Sequence, residues 1–161
     1  MKSKTQRNTV LILNDIRSVY NVGAIFRTAD AAGISKIYLV GTTPTPLDRF
    51  NRIRKDVAKT ALGAEKTVEW EYIKTIGILL KKLKKEKFYI VAVEQSENSV
   101  DYKKVKLFEK TAIMVGNEVD GILPKVLSQC DCIAEIGMNG KKESLNVSVA
   151  TGIVLFRVLN I

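Results

Sequence analysis

Short apolar runs alternate with helix-period stripes along the chain. The runs predict strands at 10–13, 36–40, 67–70, 88–93, 111–115 and 132–136. Helices are predicted from residue 21 onward and at 51–62, 72–86, 123–129 and 144–160. Because most of the strands are apolar without interruption, this alternation predicts an α/β fold with a mainly parallel sheet flanked by helices.

Polar residues follow three of these strands directly. They form the segments 94–96, 116–118 and 137–140. In a parallel sheet, ligands bind beyond the carboxyl ends of the strands. We therefore expect a binding site at this edge of the sheet.

The segment from Asn14 to Asp30 leads from the first strand into a helix. Asn21 is predicted to cap this helix, because its side-chain oxygen can accept a hydrogen bond from a free amide of the first turn. Arg27 is expected to lean back over Gly23, where no side chain blocks a ligand. An arginine beside a positive helix start favours a phosphate. An ordinary surface arginine on a capped helix fits the local pattern equally well.

The charge of the chain suits a polyanionic partner. Lysine and arginine number 26 against 17 acidic residues, a net charge of +9, which fits RNA and also simple solubility. A basic cluster favours phosphate recognition and consists of Arg49, Arg52, Arg54, Lys55 and Lys59. Arg17 is placed with it as a candidate RNA contact. The 161 residues are expected to form a single domain, 1–161, without a separate RNA-binding domain.

The residue types exclude several kinds of chemistry. The chain contains no histidine, which removes Ser-His-Asp and Cys-His triads and most transition-metal sites, so no metal is expected. Cys130 and Cys132 match neither a zinc knuckle nor a redox Cys-x-x-Cys pair and are expected to be reduced. No signal peptide or transmembrane segment is recognisable, so a cytoplasmic protein is expected.

Three segments stand in series: Asn21-Val-Gly-Ala-Ile-Phe-Arg-Thr-Ala29, Gly116-Asn-Glu-Val-Asp-Gly-Ile122 and Ser144-Leu-Asn-Val-Ser-Val-Ala150. In this order they resemble the three motifs of the SpoU, or TrmH-like, RNA 2'-O-ribose methyltransferases of the SPOUT superfamily. The resemblance spans nearly the whole chain. It implies a C-terminal trefoil knot, a homodimer, S-adenosylmethionine as methyl donor, and a ribose 2'-hydroxyl of tRNA or rRNA as acceptor.

Site residues are carried over from the family by motif position. The resemblance implies that the catalytic residues are Asn21, Arg27, Glu118, Ser144 and Asn146. It implies that the cofactor is held, mainly by backbone groups, at Val93, Gly116, Asn117, Ile136, Met138 and Leu145. The family often has Ile-Pro-Met where this chain has Ile136-Gly-Met138. A looser loop and weaker cofactor binding are therefore expected.

The charged residues of the motifs have different expected roles. An arginine is fully protonated, so Arg27 is expected to stabilise the developing alkoxide and to anchor a phosphate. Glu118 either acts in catalysis or only orients Asn21 or caps the following turn. Two other functions fit the same motifs: a noncatalytic RNA-binding or assembly factor, and a SPOUT methyltransferase that modifies a base.

Overall fold

The computed structural model describes residues 7–161. In this part of the chain the strands are β1 (Asn8–Asn14), β2 (Lys36–Val40), β3 (Glu69–Ile73), β4 (Tyr89–Val93), β5 (Val100–Asp101), β6 (Lys110–Val115) and β7 (Cys132–Glu135). The α-helices are α1 (Val19–Ala31), α2 (Lys55–Ala61), α3 (Ala64–Thr67), α4 (Ile76–Lys85), α5 (Pro124–Leu127) and α6 (Val147–Leu159).

The strands form one parallel sheet in the order β3-β2-β1-β6-β4-β7-β5. This confirms the predicted α/β class and the mainly parallel sheet. β1 lies between β2 and β6, with Leu13 opposite Val115. The loops that leave the ends of β1 and β6 therefore start side by side, and such a switch in strand order opens a crevice at the carboxyl edge.

Helices cover both faces of the sheet. Successive residues of β1 point to opposite sides: Leu11 and Leu13 pack with α1, α2 and α6, whereas Val10 and Ile12 pack with α4 and α5. This two-sided burial is the physical reason that the strands lack polar interruptions. No helix within residues 7–161 is both long enough and apolar enough to cross a membrane.

The start of α1 differs from the prediction. The capping residue is Ser18, whose hydroxyl accepts a hydrogen bond from the Asn21 amide at 3.2 Å. The expectation that Asn21 caps the helix is therefore wrong. Both residue types are good caps, and Ser18 comes first in the chain. This leaves the Asn21 side chain available for other contacts.

Gly23 is a packing position rather than an opening for a ligand. A side chain there would collide with Thr60 and with the Val57 carbonyl of α2. Because Gly23 has no side chain, α2 lies close against α1. The Thr60 hydroxyl of α2 also donates a hydrogen bond to the Tyr20 carbonyl of α1 at 3.1 Å. The prediction of open space over Gly23 is wrong because α2, distant in sequence, fills that space.

Several predicted boundaries also shift. The basic helix begins at Lys55 instead of residue 51, because residues 47–53 form a loop closed by a bridge between Leu47 and Ile53. β3 begins at Glu69, after the short helix α3. The last helix begins at Val147, so Ser144 and Leu145 belong to the loop before it.

Candidate functional site

A cavity of about 450 Å³ lies beyond the carboxyl ends of β4, β6 and β7. Its volume is in the range of small-molecule sites. The residues expected to hold a cofactor all line it: Val93, Gly116, Asn117, Ile136, Met138 and Leu145. Three residues expected in catalysis, Glu118, Ser144 and Asn146, line it as well. The structure thus brings the second and third motif segments together around one space.

The second motif forms one wall through close backbone packing. A side chain on Gly116 would come within 2.7 Å of the Gly121 backbone, so only glycine fits there. The Asn117 side chain accepts hydrogen bonds from the amides of Val119 (2.8 Å) and Asp120 (3.0 Å). Its amide group donates to the Asp15 carbonyl at 2.8 Å. Asn117 therefore joins this turn to the loop that follows β1.

A chain of hydrogen bonds connects all three motif segments. The Asn21 amide group donates to Glu118 Oε1 at 3.0 Å, and the Asn146 amide group donates to Asn21 Oδ1 at 3.1 Å. Asn146 Oδ1 in turn accepts from the Ser148 backbone amide at 2.9 Å, which caps α6. Because a carboxylate only accepts and a backbone amide only donates, both ends of the chain fix the orientation of the two side-chain amides.

Glu118 holds the start of α1. Its two carboxylate oxygens accept hydrogen bonds from the backbone amides of Arg17 (2.9 Å) and Ser18 (3.0 Å), besides the bond from Asn21. Partial burial raises the pKa of Glu118, but the bonds from Arg17, Asn21 and Ser18 outweigh it and the pKa is lowered overall. A carboxylate engaged in this way fits the orienting role that the sequence left open.

The lining of the cavity is acidic although the chain as a whole is basic. It contains Glu94, Glu118, Asp120 and Glu135, and the described residues that line it include no lysine or arginine. Such a lining favours a ligand that carries positive charge. Glu94 is not among the expected site residues, and its position directly after β4 is the signal that marks it in the sequence.

Glu94 and Gln95 also shape the site. The Glu94 carboxylate accepts hydrogen bonds from the backbone amides of Ile122 and Gln95, both at 2.9 Å. The Gln95 side chain donates to the Glu143 carbonyl at 2.6 Å, next to Ser144. These contacts attach the loop of the third motif to the end of β4.

Arg27 lies apart from this cavity. It lines a second, open cavity of about 460 Å³ together with Asp30, Thr67 and the segment 61–64. The reason is helical geometry: residues six positions apart point about 120° away from each other around the axis. The Asn21 side chain bonds to Glu118 and Asn146, which line the first cavity, and Arg27 points away from them. Within one chain the two side chains are therefore not brought together.

The basic cluster is partly paired within the chain. Arg52 Nε lies 2.8 Å from an Asp48 oxygen, and Arg54 lies 2.9 Å from Asp56. Arg49 instead places its guanidinium over the ring of Phe50. Arg17 contributes its backbone amide to Glu118, as described above. The sequence did not reveal the two ion pairs, because an acidic residue near an arginine along the chain does not determine where either side chain points.

The sequence model of the SpoU rRNA Methylase family matches residues 8–156. The chain belongs to the SpoU family. This SpoU chain is 31% identical over 156 residues to a tRNA (guanosine(18)-2'-O)-methyltransferase of Escherichia coli, which covers 97% of this chain and 65% of the relative. The resemblance inferred from the three motifs is thereby confirmed.

Solved structures of similar proteins share the fold. An AdoMet-bound rRNA methyltransferase from Sinorhizobium meliloti superposes with a TM-score of 0.86 and 28% identity, over 95% of this chain and 56% of the other. A TrmH/SpoU tRNA modifying enzyme from A. aeolicus gives a TM-score of 0.83 and 30% identity, over 96% and 75%. The chain thus spans less than two thirds of the S. meliloti and E. coli relatives.

Proposed function

We propose that this protein transfers a methyl group from S-adenosylmethionine to a ribose 2'-hydroxyl of tRNA or rRNA. The observation that carries the proposal is the hydrogen-bonded chain from Glu118 through Asn21 to Asn146, at the wall of an acidic cavity. It joins the three family motifs at one place. Membership of the SpoU family and the names of the similar proteins supply the reaction.

The cavity fits the proposed cofactor. Its acidic lining suits a positively charged sulfonium compound, and its volume suits a ligand of that size. Backbone groups at Val93, Gly116, Ile136, Met138 and Leu145 would hold it, with Asn117 keeping the wall in place. S-adenosylmethionine supplies an electrophilic methyl group to the reaction. No metal enters this proposal.

The protein contributes mainly by positioning. A ribose hydroxyl is a poor acid, so alignment of the acceptor and stabilisation of the developing alkoxide carry much of the rate. Asn21 and Asn146 are the oriented amides at the cavity, and Ser144 is a hydroxyl in the loop beside them. Arg27 is proposed to stabilise the alkoxide and anchor the adjacent phosphate. Because it lines a different cavity, it acts there only where the RNA or a second protomer brings the two surfaces together.

A homodimer and a C-terminal trefoil knot belong to the same proposal. Exposed apolar side chains surround the C-terminal helix and the second motif: Val119, Leu123, Leu145, Val149 and Phe156. A second copy would remove this surface from water. We further propose that residues 1–161 act as a single methyltransferase domain, that Arg17, Arg49, Arg52, Arg54 and Lys55 contact RNA, and that the protein works in the cytoplasm.

Two measurements test the proposal. Titration calorimetry with S-adenosylmethionine comes first: a noncatalytic RNA-binding or assembly factor has no need to bind it. Labelled methyl transfer to total RNA comes second. Ribose methylation makes the neighbouring phosphodiester resistant to alkali, whereas base methylation does not. Absence of cofactor binding, or label only in alkali-sensitive positions, would contradict the proposal.

A further inference from the structure

The loop at residues 47–53 presents an aromatic ring to solvent beside two arginines. Phe50 is 61% exposed. The guanidinium carbons of Arg49 and Arg52 lie 4.8 and 4.9 Å from the centre of its ring. Ring and guanidinium groups are planar, and both kinds of group can pack against the face of a base. We call Arg49, Phe50 and Arg52 the stacking tip.

The stacking tip is held in shape by the chain itself. Asp48 Oδ1 accepts hydrogen bonds from the backbone amides of Phe50 (2.8 Å) and Arg52 (3.0 Å), and Asp48 Oδ2 pairs with Arg52 Nε at 2.8 Å. The bridge between Leu47 and Ile53 closes the loop behind them. An exposed aromatic group on an ordered loop is prepared for a partner, because little conformational freedom is lost on binding.

The charges around the tip indicate the kind of partner. Arg52 and Arg54 are paired with aspartates, but within residues 7–161 Arg49 and Lys55 form no ion pair. Two uncompensated cations next to a flat apolar ring match the chemistry of a nucleic acid strand, in which bases alternate with phosphates. Only an unpaired base offers its face, because the faces are covered by neighbouring bases in a duplex.

The tip is also connected to the proposed site. The loop leads directly into α2, and α2 packs closely along α1 at Gly23. The Thr60 hydroxyl of α2 bonds to the carbonyl of Tyr20, the residue before Asn21. A base held by the tip therefore keeps a fixed position relative to Asn21.

We propose that the stacking tip binds an unpaired base of the RNA, while Arg49 and Lys55 contact the phosphates on either side of that base. This proposal rests on the proposed function, since it states how the substrate RNA is bound. It changes the sequence-based hypothesis for the cluster: Phe50 becomes the central contact, whereas Arg52 and Arg54 are already paired with Asp48 and Asp56.

The test compares RNA affinity among matched variants by fluorescence anisotropy. The probes are a short single-stranded RNA of mixed sequence and the same strand annealed to its complement. The variants are Phe50→Leu, which keeps an apolar side chain without the ring, Phe50→Tyr, which keeps the ring, and Ile78→Ala, which removes an equally exposed apolar side chain on α4. Phe50→Leu is expected to weaken single-strand binding at least about fivefold, the loss of one stacked base.

Phe50→Tyr and Ile78→Ala are expected to keep single-strand affinity, and duplex affinity is expected to stay unchanged in these two variants and in Phe50→Leu. The salt dependence of Phe50→Leu should equal that of the wild type, whereas Lys55→Ala should lower the slope by about one. Unchanged single-strand affinity in Phe50→Leu would overturn the proposal, and so would an equal loss for the duplex. A change in oligomeric state on sedimentation would overturn it too, because the tip would then be an interface between copies.

Failure of the tip and failure of the proposed function give different results. S-adenosylmethionine binding and methyl transfer by the wild type test the function, and Phe50 does not line the cofactor cavity. A wild type that methylates RNA beside a Phe50→Leu variant with normal RNA affinity would overturn the tip alone. A wild type that binds single-stranded RNA through Phe50 but takes no cofactor would overturn the function alone.

Discussion

Replacement of Glu118 by glutamine separates the orienting role of this side chain from a role as a base. The carboxylate accepts three hydrogen bonds: two from backbone amides before α1 and one from Asn21. A glutamine keeps the shape but puts an NH₂ group where one oxygen accepts. Its best orientation keeps the oxygen that serves Ser18 and Asn21, so its NH₂ then faces the Arg17 amide, donor against donor.

The expected cost follows from these contacts. One bond to a charged acceptor is lost and two others become neutral, each difference being worth roughly 0.5–1.5 kcal/mol in buried surroundings. Because Glu118 is exposed at the surface, solvent screens these differences, and we expect in total about 1 kcal/mol less free energy of unfolding for Glu118→Gln at pH 7. Methyl transfer should fall at the same time, because Asn21 loses its strongest partner.

The stability that Glu118 contributes depends on pH. The folded-state pKa of Glu118 lies below its ordinary value of 4.5. Its contribution to stability is therefore present above pH 4.5 and is lost as the pH falls through the folded-state value. Protonated Glu118 resembles glutamine, so the difference between wild type and Glu118→Gln should vanish in acid.

Urea unfolding of the two proteins at neutral and acid pH measures this difference. The matched control is Glu97→Gln at an exposed glutamate for which the structure gives no side-chain hydrogen bond. This variant should unfold like the wild type at every pH. Equal stability of Glu118→Gln and wild type at pH 7, or a difference in stability that persists in acid, would show that the Glu118 carboxylate does not stabilise the start of α1.

Three further predictions concern the other site residues. Arg27→Ala should lower turnover, measured by labelled methyl transfer, about 100-fold or more. Its affinity for S-adenosylmethionine, measured by calorimetry, should stay unchanged. Turnover at the wild-type rate would exclude a catalytic role for Arg27. Asn146→Ala removes the cap of α6 and should lose about 1 kcal/mol of stability in thermal melts. Asn146→Asp keeps the cap but loses the donor to Asn21, so it should lose methyl-transfer activity more than stability. Gly137→Ala should bind S-adenosylmethionine about two- to fivefold more tightly, because the added side chain meets open space and restricts the loop; calorimetry showing weaker binding would contradict this.

The sheet and the cavity were accessible from the sequence because their signals are local. Strands buried on both faces leave unbroken apolar runs, and the polar segments directly after β4, β6 and β7 mark the carboxyl edge. The residues that the family resemblance implied for cofactor binding all line this cavity. The family motifs contributed Ser144 and Asn146, whose positions no periodicity would have singled out.

The expectations that failed depend on contacts between distant parts of the chain. The space over Gly23 is filled by α2, and Asp48 and Asp56 pair with arginines that looked free. Arg27 lies six residues after Asn21 and therefore points about 120° away from it around α1. The cavity that it lines is completed by residues 61–64 and Thr67, which are distant in sequence. The exposure of Phe50 could not be predicted from the sequence, because an aromatic residue in a polar loop is usually buried in part.

We propose that the acidic cavity and the amide chain beside it perform ribose methylation. The most direct test is methyl transfer from labelled S-adenosylmethionine to RNA from cells that lack this protein, followed by alkaline hydrolysis and mapping of the resistant bonds. We predict label at a ribose 2'-oxygen, with resistance to alkali at the neighbouring phosphodiester and loss of both in the Arg27→Ala variant. Transfer of label to a base, or no transfer by a protein that binds the cofactor, would contradict the account.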